Sequence, residues 1–244
     1  MFSQGNVTAI RNISNLGSPW TLFVTTSGDI YAENSLSTDH VDKFTLNSSI
    51  GIPVLYTCRW CYDIFVDIND VLYCSIDGQH QVFAKSLKND SSQLNIVAGT
   101  GTIGSLPNML NRPSGIFVDT NFDLYVADFG NHRIQLFPPG QLTATTVAGN
   151  GSLNLTITLN RPNSIVLDAD KYLFIADTGN SRIIGSGPNG FRCIIGCSGV
   201  NGSLSDQLNN ARSFSFDHYG NIFVADFGNR RIQKFILMAN SCGK

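Results

Sequence analysis

From about residue 20 onward the chain alternates short apolar runs with turn-forming clusters, and it lacks the 3.6-residue periodicity of amphipathic helices. The runs are rich in β-branched and aromatic residues, as in IFVD, LYVAD, RIQLF and TTVAG. Clusters such as Thr-Asn-Phe-Asp and Asp-Phe-Gly-Asn separate them, so the pattern predicts short strands joined by tight turns. Three stretches repeat this pattern almost letter for letter: DLYVADFGNHRIQLF at 123–137, YLFIADTGNSRIIGS at 172–186 and NIFVADFGNRRIQKF at 221–235. Asp128, Asp177 and Asp226 occupy one position in these copies, spaced 49 residues apart. Each copy follows a matching strand that ends on aspartate: SGIFVDTN, NSIVLDAD and SFSFDHYG. Two divergent copies lie upstream, at 62–86 with Ile76 in the aspartate position and at 21–45 with Asn34 there.

Each copy reads as three strands, and a more variable fourth follows a loop: PVLYTC, LNIVAG, TTVAG and FRCIIG. Four strands at a period near 49 residues predict an all-β propeller of five recognisable blades, because a sandwich or barrel does not repeat its motif five times. The repeats span roughly 20–58, 61–99, 112–149, 161–196 and 210–237, within a single domain covering 1–244. The fifth copy has no evident fourth strand. Residues 7–13, VTAIRNI, resemble the fourth-strand segments and are expected either to close blade five or to end a further blade.

Composition narrows the picture. Glycine (23 residues) and asparagine (24) are abundant and Glu33 is the only glutamate, which favours turns over helices. The formal charge of −2 gives no global attraction to nucleic acid or to an acidic membrane. No apolar run is long enough to cross a bilayer as a helix. The first residues lack the pattern of a signal peptide, so the expectation is a cytoplasmic protein or a start that lies upstream. Seven N-x-S/T sequons, at Asn6, Asn12, Asn47, Asn89, Asn150, Asn154 and Asn201, favour an extracellular glycoprotein. The cysteines include the close pairs Cys58/Cys61 and Cys193/Cys197, with Cys74 and Cys242 apart. A lone C-x-x-C is too few ligands for zinc, and Cys193/Cys197 can bridge only if the backbone brings the sulfurs together.

The block A-D-x-G-N-x-R-I stands here as Ala127–Ile134, Ala176–Ile183 and Ala225–Ile232, each after a strand of the G-I-x-V-D kind. It resembles the NHL-repeat family. That resemblance implies a propeller, usually six-bladed. It also implies relatives among the RNA- or protein-binding modules of tripartite-motif ubiquitin ligases and the lyase domains of peptide-amidating enzymes. No RING, B-box or coiled coil stands in this chain.

The recurrence of Asp128, Asp177 and Asp226 argues for turn-building through hydrogen bonds to the turn's backbone N–H groups, rather than for catalysis. Gly130, Gly179 and Gly228 are expected to supply positive φ, and Arg133, Arg182 and Arg231 to brace neighbouring turns. His80 and His132 share a motif slot, with His40 near it, but Ser181 and Arg230 fill that slot in later copies. No metal site and no cofactor are expected. Alignment of the copies puts Trp20, Tyr62, Ser114, Asn163 and Arg212 in one position of the loop leading into the first strand. Two residues earlier stand Ser18, Trp60, Arg112, Arg161 and Asn210. With His132 and Arg230 from the turns, these residues define one face of aromatic and cationic side chains, the types that anchor recognition surfaces. The candidate partner-binding residues are Trp20, Trp60, Tyr62, Arg112, Arg161, Arg212, His132 and Arg230. The expected function is non-catalytic binding of a protein or glycan. A metal-dependent lyase or lactone hydrolase is the enzymatic alternative, and RNA binding a third.

Overall fold

The computed structural model describes residues 13–14, 16–35, 39–57, 59–88, 93–153 and 157–236. Five antiparallel sheets form a five-bladed β-propeller. Blade one contains β1 (Leu22–Val24), β2 (Ile30–Asn34), β3 (His40–Phe44) and β4 (Ile52–Tyr56). Blade two contains β5 (Asp63–Val66), β6 (Val71–Ile76), β7 (Gln81–Ser86) and β8 (Asn95–Ala98). Blade three contains β9 (Pro113–Val118), β10 (Leu124–Asp128), β11 (Arg133–Phe137) and β12 (Thr145–Gly149). Blade four contains β13 (Pro162–Leu167), β14 (Leu173–Asp177), β15 (Arg182–Gly185) and β16 (Arg192–Ile195). Blade five has three strands among the described residues: β17 (Ala211–Phe216), β18 (Ile222–Asp226) and β19 (Arg231–Phe235). The proposed closing strand at 7–13 lies, but for Ile13, outside the described residues.

Within each blade the strands run in sequence order and pair antiparallel, as hairpin connections dictate. In the four complete blades the register between the third and fourth strands slips at one place, after Val41, Val82, Ile134 and Ile183. This recurrent bulge adds twist at the outer edge of each blade.

The first strands of successive blades pack on one another around the axis. Aromatic residues meet between blades: Phe23 on Phe65 at 4.9 Å and Phe65 on Phe117 at 5.1 Å between first strands, and Phe174 of β14 on Phe216 of β17 at 4.9 Å between ring centroids. Four apolar cores result, each shared by two consecutive blades. The key contributor is the second residue of the third strand: Val41, Val82, Ile134 and Ile183 are fully buried.

The fifth copy of that residue breaks the rule, since Ile232 is 68% exposed. On the opposite flank, Leu22 is 62% exposed, while its counterparts Ile64, Ile116, Ile165 and Phe214 are at most 5% exposed. The flank of blade five and the flank of blade one therefore present the same apolar positions to solvent that the other blades bury. Stability should mirror this difference. Ile183→Ala is expected to cost about 2–5 kcal/mol through lost burial and a residual cavity. Ile232→Ala should stay within about 0.5 kcal/mol of the parent. Denaturant unfolding of the two variants checks this, and equal losses would mean that the blade-five flank is covered.

Candidate functional site

The repeat motif builds a buried polar hub in each of blades three to five. Asp128 is fully buried; its carboxylate accepts the backbone N–H of Asn111 at 2.7 Å, the Asn131 side-chain amide at 2.8 Å and Arg133 Nε at 2.7 Å. Asp177 takes the same three donors from Asn160, Asn180 and Arg182, and Asp226 from Asn209, Asn229 and Arg231. The guanidinium then reaches loop carbonyls: Arg133 donates to Ser105, Leu106 and Met109, and Arg231 to Ser203, Leu204 and Gln207. One carboxylate thus ties the loop leading into the blade to the blade's second and third strands.

Two expectations about the motif change. The aspartates accept from the lead-in loop and from the Asn and Arg side chains, and not from the backbone of their own turn, because that turn is a tight 3₁₀ segment with no side-chain cap. Gly130, Gly179 and Gly228 do not carry the positive φ. The next-but-one residue does, at His80 (φ 54°), His132 (58°), Ser181 (49°) and Arg230 (52°). Glycine is required for closeness: a Cβ on Gly130, Gly179 or Gly228 would lie about 2.4–2.6 Å from the side chain of Asn111, Asn160 or Asn209.

The degenerate blades make the same tie with other chemistry. In blade one Asn34 Oδ1 accepts Gly17 N–H at 3.3 Å, the same 17-residue reach as in the later hubs, while Asn34 Nδ2 donates to Asp42 at 2.8 Å. His40 begins β3, in the position of Arg133, and its Nε2 lies 3.3 Å from Asp42, so it does not share the slot of His80 and His132. In blade two, Ile76 supplies no carboxylate, and a Cys61–Cys74 disulfide links lead-in loop to second strand. Cys61 therefore pairs outside the C-x-x-C; Cys58 lies outside the described residues. A second disulfide joins Cys193 to Cys197.

Hydrogen bonds between blades lock the turns to the loops. The Nδ1 of His80 accepts Arg112 N–H at 3.1 Å, that of His132 accepts Arg161 N–H at 3.0 Å, and Ser181 Oγ accepts Asn210 N–H at 3.0 Å. Arg112, Arg161 and Asn210 all hold φ near +54°. For the two arginines this left-handed backbone is costly, and strain of this kind persists where neighbouring structure enforces it.

These loops surround a cavity of about 520 Å³ at the mouth of the ring. It collects Trp20, Trp60, Tyr62, Arg112, Arg161, Arg212 and His132 of the candidate residues. Trp20 is 59% and Trp60 42% exposed, so neither serves as a plug between blades. Arg230 does not join them; it lies on the open flank of blade five with Phe227 and Ile232. Sequence reasoning missed Phe129, Asp77 and Thr178, which also line the cavity from the turns. Their shared motif position, just after the hub slot held by Ile76, Asp128 and Asp177, was the available signal.

Electrostatics divide the mouth from its floor. Arg112 pairs with Asp77 at 3.3 Å, and the Arg212 guanidinium stacks 3.7 Å over the Phe227 ring. Asn163 Nδ2 donates to Tyr62 Oη at 2.9 Å across the mouth. Below, a narrower shaft is lined by one equivalent residue from each blade: Thr21, Asp63, Gly115, Ser164 and Ser213. Asp63 accepts Ile116 N–H, Ile64 N–H and the Thr21 hydroxyl, yet desolvation dominates and pushes its pKa up to about 6. Burial likewise raises Asp128 despite its three donors. At Asp226, on the open flank, burial still pushes upward, but the donors outweigh it and the pKa falls below the ordinary value. Among the described residues, no three His, Cys, Asp or Glu side chains converge as a metal site. No described helix is long and apolar enough to cross a membrane.

A profile of the NHL repeat matches residues 110–137, the span of blade three from its lead-in loop to β11, consistent with an NHL-repeat β-propeller family. No curated protein sequence matches the chain significantly. Among solved structures, virginiamycin B lyase from Staphylococcus aureus is 11% identical, with a TM-score of 0.60 over 91% of this chain and 71% of that one. A chain of the nidogen/laminin complex is 14% identical, with a TM-score of 0.63 over 89% and 80%. An auxiliary nutrient binding protein from Bacteroides thetaiotaomicron is 17% identical, with a TM-score of 0.66 over 91% and 59%. At these identities the likeness is one of fold.

Two outcomes follow for the site. Replacing Asp128 with Ala leaves Arg133 buried without its carboxylate and should cost about 3–5 kcal/mol in denaturant unfolding; a loss below 1 kcal/mol would refute the hub. Asp63 should titrate near pH 6 by carboxyl NMR. Its raised pKa means that the folded state holds the proton more firmly than the unfolded chain. Its contribution to stability is therefore greatest below about pH 4 and declines as pH rises to 6. A midpoint near 4 would show the shaft to be well hydrated.

Proposed function

We propose that this NHL-repeat propeller is a non-catalytic recognition module that takes its ligand, a glycan or a protein segment, at the mouth of the ring. One observation carries the reading: two half-exposed indoles and three guanidinium groups converge on a single cavity, the guanidinium groups from loops clamped by buried hubs. Its volume falls within the roughly 300–1,000 Å³ usual for ligand sites. Rigid aromatic and arginine anchors on a prebuilt frame lose little freedom on binding, which favours recognition. Protein- and nutrient-binding neighbours support such a role, while the lyase neighbour leaves an enzyme as the second reading. Two disulfides and exposed sequons at Asn47, Asn150 and Asn201 favour an extracellular setting. The other four sequon asparagines lie outside the described residues.

Trp20 and Trp60 are the only tryptophans in the chain, so intrinsic fluorescence reports on the mouth directly. Ligands found by screening immobilised glycans and peptides should shift tryptophan emission. They should bind at least roughly tenfold more weakly to a Trp60→Ala/Arg161→Ala variant that melts like the parent. If every ligand binds this variant as well as the parent, the mouth is not the recognition site.

A further inference from the structure

We infer that the ligand held at the mouth is an acidic saccharide, a sugar ring carrying a carboxylate; this rests on the recognition reading above. The first ground is charge. The cavity gathers Arg112, Arg161 and Arg212 against one carboxylate, Asp77, which already faces Arg112 at 3.3 Å. Among the described residues, no carboxylate lies within ion-pair distance of Arg161 or Arg212. Arg212 is held in place by Phe227, and Arg161 is fixed at its backbone by His132. Planar guanidinium groups presented in this way match a carboxylate through paired hydrogen bonds.

The second ground is shape. Trp20 and Trp60 offer flat apolar faces at the rim, and Tyr62, Asn163 and Asn210 add neutral hydrogen-bonding groups nearby. A pyranose has an apolar C–H face and a ring of hydroxyls, and so uses both. An extended peptide finds no free sheet edge on the inner side of blades two to four, whose first strands are packed against those of both neighbouring blades. Single-stranded RNA needs a basic track along its backbone, whereas the mouth of this chain of net charge −2 presents three arginines beside Asp77. The mouth suits isolated carboxylates better than a continuous polyanion.

The test uses the full chain and an array of defined oligosaccharides, each uronic or sialic acid member paired with its carboxyl-reduced neutral counterpart, together with single-stranded RNA oligomers. Hits are titrated by tryptophan emission. The inference expects binding confined to acidic sugars, about tenfold or more weaker after carboxyl reduction and in Arg161→Ala or Arg212→Ala. Affinity should also decline as salt is raised. Equal binding of the neutral counterparts, weakened by Trp60→Ala, would overturn the acidic class and leave the recognition reading standing. Binding of RNA in place of acidic sugars, or of no member of the panel, overturns the inference. Sugar binding indifferent to Trp60, Arg161 and Arg212 overturns both.

Discussion

The arginine-bearing loops at the ring's mouth depend on a buried carboxylate with three donors. Asp128, Asp177 and Asp226 each lie at the end of a second strand, where a blade would otherwise let its lead-in loop swing free. By accepting a loop N–H, an asparagine amide and an arginine Nε, each fixes that loop relative to two strands. The charge is buried at a desolvation cost, which shows in the raised pKa of Asp128, and full hydrogen bonding offsets it. Where the motif decays, the loop is still tied: by Asn34 in blade one and by the Cys61–Cys74 disulfide in blade two. Different chemistry at one place in the fold implies that the tie itself, more than the aspartate, is what the architecture demands.

The hub matters for function because the loops it holds carry the side chains of the mouth. Arg112 and Arg161 sit one residue after Asn111 and Asn160, the backbone donors to the hubs, and adopt left-handed φ. Their guanidinium groups are thus aimed by structure that never touches a ligand. The turns after the hubs contribute His132 and Phe129 to the same cavity and bond each blade's turn to the next blade's loop. A rigid ring with cationic and aromatic groups at its opening is the consequence.

Much of this was legible in the sequence. The strands repeat with period near 49, so β-branched runs and Gly-Asn turns specify the blades, and aligned loop positions place Trp20, Trp60, Tyr62, Arg112, Arg161 and Arg212 together. What was not legible involves contacts between copies. Glycine in an Asp-x-Gly-Asn turn reads as a positive-φ position, yet Gly130 is required by Asn111 pressing on it from 19 residues away. Arg230 shares its motif slot with His132 but lies beside an open flank, because exposure depends on the neighbouring blade and the slot does not encode it. Likewise Ile232 and Ile183 are the same letter in the same motif, and only the packing of the ring separates a solvent-facing residue from a core one.

The most direct measurement of the central claim is backbone amide hydrogen exchange at Asn111, Asn160 and Asn209. Each of these loop amides donates to a buried aspartate. The account predicts that all three exchange as slowly as the core strands, far more slowly than exposed amides in the same loops such as that of Asn108. Exchange at ordinary loop rates would contradict it, since the loops would then open without breaking the hubs said to hold them.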